Sequence, residues 1–277
     1  MKRVAIKGIG GSFHDQVARS IFGEKYQAIY CTNFSEMVDK LVSNEVELGV
    51  MAIENSLVGT LLENYTLIRH QPIEIIGEKY LKVDHNLLAL PGQKVENISI
   101  VISHEMALKQ CKNFLDSAGI KSRQSFSDTA SASAHIGQNM VKGVASIAST
   151  LAAKNYGLEV LASNVQDNPK NYTRFLVIRK TNTTGMKLHE DKATIIFSVE
   201  NAPGRLALVL NYLENKGINL TKIESVPKLN NPGKFDMITD LELPMGENFQ
   251  QILPELYQLV DEIKLLGVYE KSAEPWE

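Results

Sequence analysis

The sequence predicts an α/β protein of two lobes, followed by a smaller ferredoxin-like domain with the element order βαββαβ. From residue 3 to about residue 180, short β-rich runs alternate with helical runs, which is typical of α/β domains with largely parallel sheets. The alternation starts afresh near residue 98, which indicates a second lobe. After a polar segment at residues 181–191, which we interpret as a linker, two strands in succession stand between two amphipathic helices.

In the first lobe, short apolar runs predict the strands, and apolar residues at helical spacing predict the helices. The expected strands lie at residues 4–6, 28–30 and 48–53, and the expected helices at residues 15–22 and 34–41. Asn33 precedes the second helix, where its side chain can cap the first turn. The runs at residues 73–76 and 87–90 predict strands that cross between the lobes near residues 75–90.

The second lobe is expected to contain strands at residues 98–102, 124–126 and 144–147 and helices at residues 105–118 and 129–138. Ser103 and Asp128 stand where they can cap these two helices. Cys111 falls on the apolar face of the first helix, so we expect it in the core and not as a nucleophile. The chain should return to the first lobe near residues 160–175.

The C-terminal domain is expected to follow from residue 192 to residue 277. Its strands are predicted at residues 193–199, 220–226, 235–243 and 265–269, and its helices at residues 204–215 and 247–263. Both helices carry one apolar face. We expect the strand at residues 193–199 to lie at an edge of the sheet, where two copies of the domain could pair.

Composition and charge narrow the classes of function. A formal net charge of -3 provides no basic field for nucleic acid or for a lipid surface, so a small-molecule partner is favoured. No apolar run is long enough for a membrane span, and the first residues do not build the apolar core of a secretory signal. Two cysteines are too few for a disulfide framework, so the cytoplasm is the expected compartment.

Thr173 and Arg174 stand at the start of the apolar run 175–178, where a strand requires neither side chain. Arginine presents a planar fork of donors that suits a carboxylate, and the threonine hydroxyl can donate or accept a hydrogen bond. The pair therefore predicts a site for a small carboxylate, although two exposed residues at a strand end would give the same pattern.

Glu54, Asn55 and Ser56 follow a buried apolar strand, and open α/β sheets hold their ligands at this edge. A cap for a helix that begins near Thr60 is the competing explanation, but a cap requires only one of the three residues. Gln110 lies beside the buried face of its helix, from which it could point toward a cleft.

The glycine turn at residues 8–11 follows a strand and precedes a helix, as a dinucleotide fingerprint does. The fingerprint fails at its third glycine, where Phe13 stands, so no nicotinamide cofactor is expected. The backbone N–H groups of the turn, including those of Gly11 and Ser12, could still bind an anionic group. The six histidines are scattered and the cysteines form no ligand-spaced pair, so no metal is expected.

Taken together, the motifs and their order resemble the prephenate dehydratases that carry a C-terminal ACT regulatory domain. The motifs are Gly8 to Phe13 with His14 and Asp15, Ile53 to Ser56 with Gly59, Ser103 and His104 with Ala107, Leu108, Gln110 and Cys111, Asp128 to Ala130, Tyr156 to Leu158, Asp167, Asn171 with Thr173 to Phe175, Pro203 and Gly204 with Leu206, and Asn219 to Ser225 with Pro227. The resemblance covers nearly the whole chain.

The resemblance implies a carbon–oxygen lyase that converts prephenate to phenylpyruvate in phenylalanine biosynthesis, with loss of water and carbon dioxide and without a cofactor. It implies a catalytic domain at residues 1–180 that resembles the two-lobed periplasmic binding proteins, with the active site in the cleft. The implied catalytic residues are Thr173, Glu54, Asn55, Ser103 and Gln110, and the implied substrate-binding residues are Arg174, Ser56, Gly11, Ser12 and Phe175. A threonine hydroxyl is a poor free acid, so we expect Thr173 to stabilise the departing hydroxyl by a hydrogen bond.

Feedback inhibition by L-phenylalanine through the ACT domain is implied as well. The regulatory residues implied are Pro203, Gly204, Leu206, Asn219, Leu220, Glu224 and Ser225. Two positions depart from the family pattern: Val226 stands where the family has arginine, and Arg205 stands where it favours a small residue. A homodimer or homotetramer is expected. An arogenate dehydratase and a two-lobed binding protein without turnover are the alternative functions.

Overall fold

The computed structural model describes residues 1–23, 25–181, 191–228, 231, 233–244, 249–273 and 275. Its strands, in chain order, are β1 Lys2–Lys7, β2 Tyr26–Cys31, β3 Leu48–Asn55, β4 Gly59–Thr60, β5 Ile73–Lys82, β6 Asn86–Ala89, β7 Ile100–Ser103, β8 Ser122–Ser125, β9 Val144–Ala148, β10 Glu159–Ala162, β11 Tyr172–Lys180, β12 Lys192–Ser198, β13 Asn219–Pro227, β14 Phe235–Glu242 and β15 Glu262–Tyr269. Its helices are α1 Phe13–Phe22, α2 Phe34–Val42, α3 Leu62–Arg69, α4 Glu105–Gln110, α5 Lys112–Ser117, α6 Thr129–Asn139, α7 Thr150–Tyr156, α8 Arg205–Asn215 and α9 Phe249–Leu259. Most of the predicted linker at 181–191 lies outside the described residues.

The first lobe is built on a mixed sheet with the strand order β2-β1-β3-β11-β5, and β4 pairs with β3. The strand β1 is parallel to β2 and β3, whereas β11 runs antiparallel between β3 and β5. One face of the sheet packs on α1 through Val4, Val17 and Phe175, and the other packs on α2 and α3. Asn33 caps α2 as predicted, since its Oδ1 accepts a hydrogen bond from the backbone N–H of Glu36.

The second lobe is built on a sheet with the strand order β10-β6-β9-β7-β8. Cys111 is buried in its core with Leu115 and Ile147, as predicted. Burial raises the pKa of the Cys111 thiol to about 12, so it is not a nucleophile at neutral pH. The single helix predicted at residues 105–118 is interrupted at Cys111, which ends α4 and precedes α5.

Two connections join the lobes, from β5 to β6 and from β10 to β11. They are hydrogen bonded to each other, because the N–H of Val83 donates to the Asn171 carbonyl at 2.7 Å and that of Val165 donates to the His85 carbonyl at 2.8 Å. The predicted two-lobed α/β architecture is therefore confirmed. None of the helices among the described residues is both long and apolar enough to span a bilayer.

The C-terminal domain has the predicted βαββαβ order, with the antiparallel strand order β13-β14-β12-β15. One face of this sheet is covered by α8 and α9, and the other face packs against the first lobe through Ile196, Ile238 and Leu266. The approach is close at Gly267, where a Cβ atom would overlap the backbone carbonyl of Ile75. The prediction that the strand at 193–199 forms an edge is wrong, because β12 is paired on both sides.

Candidate active site

A cavity of about 320 Å³ lies between the lobes, at the ends of β1, β3 and β11. Three helices of both lobes begin at its wall, namely α1 after Ser12, α4 after His104 and α6 after Asp128. The N-terminal end of a helix carries a partial positive charge, and in each of these three helices the capping side chain accepts only one of the first backbone N–H groups. The cavity therefore has a wall that favours negatively charged ligands.

Strand alternation divides the predicted site residues on β11 between two faces. Thr173 and Phe175 line the cavity, whereas Arg174 lies between them on the opposite face of the sheet. Successive side chains of a strand point to opposite faces, so two adjacent residues cannot both reach one cavity. Contrary to the prediction, Arg174 is not placed to hold a substrate carboxylate.

A β-bulge on β3 brings Asn55 to the cavity beside Thr173. In the pairing of β11 with β3, Arg174 is opposite Glu54 and Phe175 is opposite Ala52, which leaves Ile53 without a partner. A bulge of this kind inserts one residue and re-aims the side chains that follow. Ala52 and Asn55 both line the cavity as a result, while Glu54 joins Arg174 on the other face.

The side-chain amide of Asn55 is held in one orientation. Its Oδ1 accepts hydrogen bonds from the backbone N–H groups of Leu57 at 2.9 Å and Val58 at 3.1 Å. Its Nδ2 therefore faces the Thr173 Oγ1 at 2.9 Å and the Asn171 Oδ1 at 2.8 Å. Because Thr173 Oγ1 accepts this bond, its own hydroxyl hydrogen is free to be donated to a ligand.

The same hydrogen-bond network extends across the cleft to the second lobe. Asn171 Nδ2 donates to Gln110 Oε1 at 3.1 Å, and His85 Nε2 lies 3.0 Å from the same oxygen. A carbonyl oxygen only accepts, so His85 carries its proton on Nε2. The amide nitrogen of Gln110 makes no hydrogen bond to a described residue, which leaves its donors available at the cavity wall.

His14, which is half-buried, and His85, which is buried, both lie at the cavity wall and are neutral at pH 7. Burial, helped by the nearby charge of Lys7, lowers the pKa of His14 to about 3. Burial also lowers the pKa of His85, although its hydrogen bond to Gln110 and the charge of Asp84 act in the opposite direction. The two rings pack edge-on against the aromatic rings of Phe175 and Phe13, respectively, at centroid distances of 5.0 and 5.6 Å.

Lys7 supplies a permanent positive charge at the cavity and was not predicted as a site residue. It is the last residue of β1, and its Nζ lies 4.8 Å from the ring centroid of Phe34. No carboxylate among the described residues forms an ion pair with it. The strand end at the cavity edge was the sequence signal that could have identified it.

The acidic side chain at the cavity wall, Asp128, caps helix α6. Asp128 is the only acidic residue among the described residues that line this cavity. One of its oxygens accepts a hydrogen bond from the backbone N–H of Ser131 at 2.8 Å, and the other accepts from the Ser131 hydroxyl. This confirms the predicted capping role, and no lysine or arginine among the described residues forms an ion pair with Asp128.

Three more predicted site residues lie away from the cavity. Ser103 is buried, and its hydroxyl donates to the Ile147 carbonyl at 2.7 Å, while His104 takes the capping position of α4 that was predicted for Ser103. Ser56 bonds the backbone of residues 170 and 172 at the surface. Gly11 donates its N–H to Asp15 at 2.9 Å and packs against α7 of the second lobe, so this N–H is not free for a ligand.

Comparisons with known proteins show the family of this chain. Residues 4–183 match the prephenate dehydratase family. The chain belongs to the prephenate dehydratase family. It is therefore a dehydratase of the lyase class.

The curated relatives of this family member include plant enzymes. It is 34% identical over 282 residues to arogenate dehydratase/prephenate dehydratase 1, chloroplastic, of Arabidopsis thaliana, which covers 96% of this chain and 71% of the relative. It is 36% identical over 225 residues to arogenate dehydratase 2 of Petunia hybrida, which covers 81% of this chain and 57% of the relative.

Two solved structures share the fold over nearly the full chain. GqqA, described as a novel type of quorum quenching acylase, superposes with a TM-score of 0.87 at 28% identity, over 99% of each chain. The prephenate dehydratase from Arthrobacter aurescens in complex with L-Phe superposes with a TM-score of 0.83 at 25% identity, over 96% of this chain and 89% of that one.

Among the described residues of the present chain, no cluster of His, Cys, Asp or Glu could hold a metal ion.

Proposed function

We propose that this dehydratase converts prephenate to phenylpyruvate, and that the cavity between the lobes is its active site. The observation that carries the proposal is the hydrogen bond from Asn55 Nδ2 to Thr173 Oγ1. It leaves the Thr173 hydroxyl hydrogen free to be donated, and this is the group that a departing hydroxide requires. The proposal rests on the family and on this geometry together.

In the proposed reaction, the bond between the ring and its carboxylate breaks and carbon dioxide leaves. The electron pair moves through the ring, the bond to the ring hydroxyl breaks, and the departing oxygen takes up one proton from solvent to leave as water. Thr173 donates a hydrogen bond to this oxygen as negative charge develops on it, and Gln110 Nε2 is a second donor at the same wall.

The two carboxylates of prephenate require different surroundings. The side-chain carboxylate keeps its charge, and we assign it to Lys7 and to the N-terminal ends of the wall helices. The ring carboxylate loses its charge as carbon dioxide forms, so an apolar wall such as that of Phe13 and Phe175 favours its departure. Lys7 thus takes the role that the sequence assigned to Arg174.

The choice of prephenate over arogenate rests on charge. Arogenate carries an ammonium group where prephenate carries a keto group, and a buried ammonium requires a carboxylate or other acceptors. Each oxygen of Asp128 already accepts one hydrogen bond from Ser131, and the two wall histidines are neutral, so the described wall offers an ammonium group few acceptors. Arogenate remains the alternative substrate, because curated relatives are named arogenate dehydratases.

The test is turnover of the full-length chain with prephenate and arogenate in separate assays. Phenylpyruvate is followed by the absorbance of its enolate, and phenylalanine from arogenate by chromatography. We expect kcat/KM for prephenate to exceed that for arogenate by about tenfold or more, which corresponds to one unsatisfied polar group. Preference for arogenate would contradict the substrate assignment. If neither compound were turned over, the proposed reaction would be wrong and a two-lobed binding protein would be favoured.

We also propose that the C-terminal domain is an ACT domain that binds L-phenylalanine. Its βαββαβ fold and the L-Phe complex of the Arthrobacter aurescens relative support this. Of the residues implied, Pro203 and Gly204 lead into α8, Leu206 and Leu220 pack into the domain core, and Asn219, Glu224 and Ser225 lie on β13. Calorimetry of the full-length chain with L-phenylalanine tests the proposal, and absence of binding heat and of inhibition would contradict it.

We keep a homodimer or homotetramer as the proposed assembly, with the edge strand β13 in place of β12 as the pairing edge. Sedimentation of the full-length chain would distinguish these states from a monomer. The cytoplasm stays the proposed compartment, supported by two unpaired and buried cysteines.

A further inference from the structure

Arg174 joins the catalytic strand to the C-terminal domain. Its Nε donates to Glu78 Oε2 of β5 at 2.7 Å, its Nη1 donates to Asp240 of β14, and its Nη2 donates to the Tyr269 hydroxyl at 3.1 Å. The side chain is only 3% exposed. Each nitrogen of the guanidinium thus donates a hydrogen bond, and two of the three acceptors belong to the C-terminal sheet.

The contacts around Arg174 form a closed and charge-balanced network. Thr194 of β12 hydrogen bonds to Asp240 Oδ1 at 2.6 Å and to the Tyr269 hydroxyl at 2.7 Å, and Lys192 Nζ donates to Glu78 Oε1 at 3.1 Å. Two buried cations therefore face two buried carboxylates. Burial acts to raise the pKa of Asp240, but the charge and hydrogen bond of Arg174 outweigh it and hold this pKa below its ordinary value.

Apolar side chains could stabilise this contact between the domains about as well as the charged network does. Removing four charges from water is costly, and well-packed hydrophobic replacements are often equally stable. The network instead fixes relative positions, because the planar guanidinium holds several partners through separate hydrogen bonds at once. Here the network fixes β11 at Arg174, which directly follows Thr173.

The network also lies close to the bulge that aims Asn55. Glu54 is paired with Arg174 across the strands, and its Oε2 lies 3.8 Å from Arg174 Nη1 and 3.6 Å from Nζ of Lys222, a residue of β13. A shift of Arg174 would therefore move both strands that present the Asn55 and Thr173 pair. The C-terminal domain contacts both strands from the face opposite the cavity.

We propose that Arg174 is a positioning residue, and that its ion pair with Asp240 makes the geometry of Asn55 and Thr173 depend on the docked C-terminal domain. The proposal deepens the proposed function, because it names the contact by which the C-terminal domain acts on that site. Loosening of this contact would lower turnover without removing any group from the cavity.

The test compares Asp240→Asn with Asp236→Asn in the full-length chain. Both carboxylates are buried on β14 and pair with an arginine of the first lobe, but Asp236 pairs with Arg69 of α3 and not with β11. We expect Asp240→Asn to lower kcat about tenfold with little change in KM, a size typical of coupling between sites. Asp236→Asn should keep kcat within about twofold, since it breaks a domain contact that does not involve the catalytic strand.

A second measurement does not depend on turnover. Hydrogen exchange of the backbone amides at residues 172–175 should be faster in Asp240→Asn than in the unmodified chain and unchanged in Asp236→Asn. If the proposed reaction is wrong, no kcat can be compared, yet the exchange data still test the contact. Equal losses of kcat in both variants, or unchanged exchange at 172–175 in Asp240→Asn, would overturn the proposal.

Tyr269→Phe covers the case in which Asp240→Asn fails to fold. It removes one hydroxyl from the network and keeps every charge, so we expect the fold to be retained. Both measurements should shift in the same direction as in Asp240→Asn but by less, with kcat lowered about threefold, because the hydroxyl's hydrogen bonds to Arg174 and Thr194 are lost while the Arg174–Asp240 ion pair stays. Unchanged kcat and unchanged exchange at 172–175 in this variant would also overturn the proposal.

Discussion

The two faces of β11 at residues 173–175 contrast sharply in their chemistry. On the cavity face, Thr173 and Asn55 are neutral, partly exposed and joined by a hydrogen bond that leaves one donor free. On the opposite face, Arg174 is buried among carboxylates and each of its three side-chain nitrogens donates a hydrogen bond. Groups that must act on a ligand need a free donor, whereas groups that hold a strand need saturated contacts. In the proposed assignment, the strand therefore separates chemistry at Thr173 from positioning at Arg174.

The largest effect is expected from Thr173→Val on the cavity face. The substitution keeps the shape of the side chain and removes the hydroxyl, so kcat should fall about 1,000-fold with KM little changed, which is about 4 kcal/mol of barrier. Initial rates with prephenate measure the effect. Thr173→Ser keeps the hydroxyl and serves as the control, with most of the activity retained. Equal losses in both variants would show that shape, and not the hydroxyl, matters at this position.

On the opposite face, Arg174→Met should lower stability in addition to turnover, because it removes every contact of the positioning residue. It leaves Glu78 and Asp240 buried without their shared cation, so the free energy of unfolding should fall by about 3 kcal/mol. Urea denaturation followed by circular dichroism measures this change. Arg179→Met is the matched control on the same strand, because Arg179 pairs with Glu74 at a more exposed position and should contribute about 1 kcal/mol or less. A loss no larger than that of the control would contradict the assignment of Arg174 as a holding residue.

Lys7→Met tests whether the cavity face has its own cation in place of Arg174. The loss of one charge-assisted hydrogen bond to the substrate carboxylate should raise KM about 30-fold at nearly constant kcat, or about 2 kcal/mol. The control is Lys2→Met, at the exposed start of the same strand. Unchanged KM in Lys7→Met would mean that a group other than Lys7 binds the side-chain carboxylate of the substrate.

The sequence predicted the two lobes, the C-terminal fold and the capping roles of Asn33 and Asp128, because periodicity and caps are local properties. It did not predict which face of β11 lines the cleft. That depends on the pairing of β11 between β3 and β5, which joins residues far apart in the chain. Strand alternation is a local property and places Thr173 and Arg174 on opposite faces, but it does not tell which of the two faces lines the cleft.

The bulge at Ile53 marks a further limit of the sequence. Without it, Asn55 would share a face with Ile53, and nothing in the local sequence signals the extra residue. The packing of Gly11 against Ala152 is likewise a contact between lobes, so the glycine turn looked free for a ligand when its N–H was already used. These features arise from tertiary contacts, and they decide which predicted site residues reach the cavity.

The smallest expected effect is on the pH dependence of stability. It reports whether His14, on the cavity face, is charged in the folded chain. The pKa of His14 is lowered from its ordinary value of 6.5 to about 3 in the folded chain, mainly by burial. Between these values the unfolded chain binds a proton that the folded chain does not, so the stability is complete above pH 6.5 and declines as the pH falls. At pH 5.5 the decline due to His14 should be about 1 kcal/mol relative to pH 7.5.

His14→Phe removes this titration and keeps an aromatic ring against Phe175, and the unpaired Nε2 of His14 means that no hydrogen bond is lost. The difference in unfolding free energy between pH 7.5 and pH 5.5 should therefore be smaller in the variant by about 1 kcal/mol. Urea denaturation at the two pH values measures it, with the same substitution at the exposed His135 as the control. An unchanged difference in His14→Phe would mean that His14 accepts a proton in the folded chain, and the cavity face would then carry a second positive charge beside Lys7.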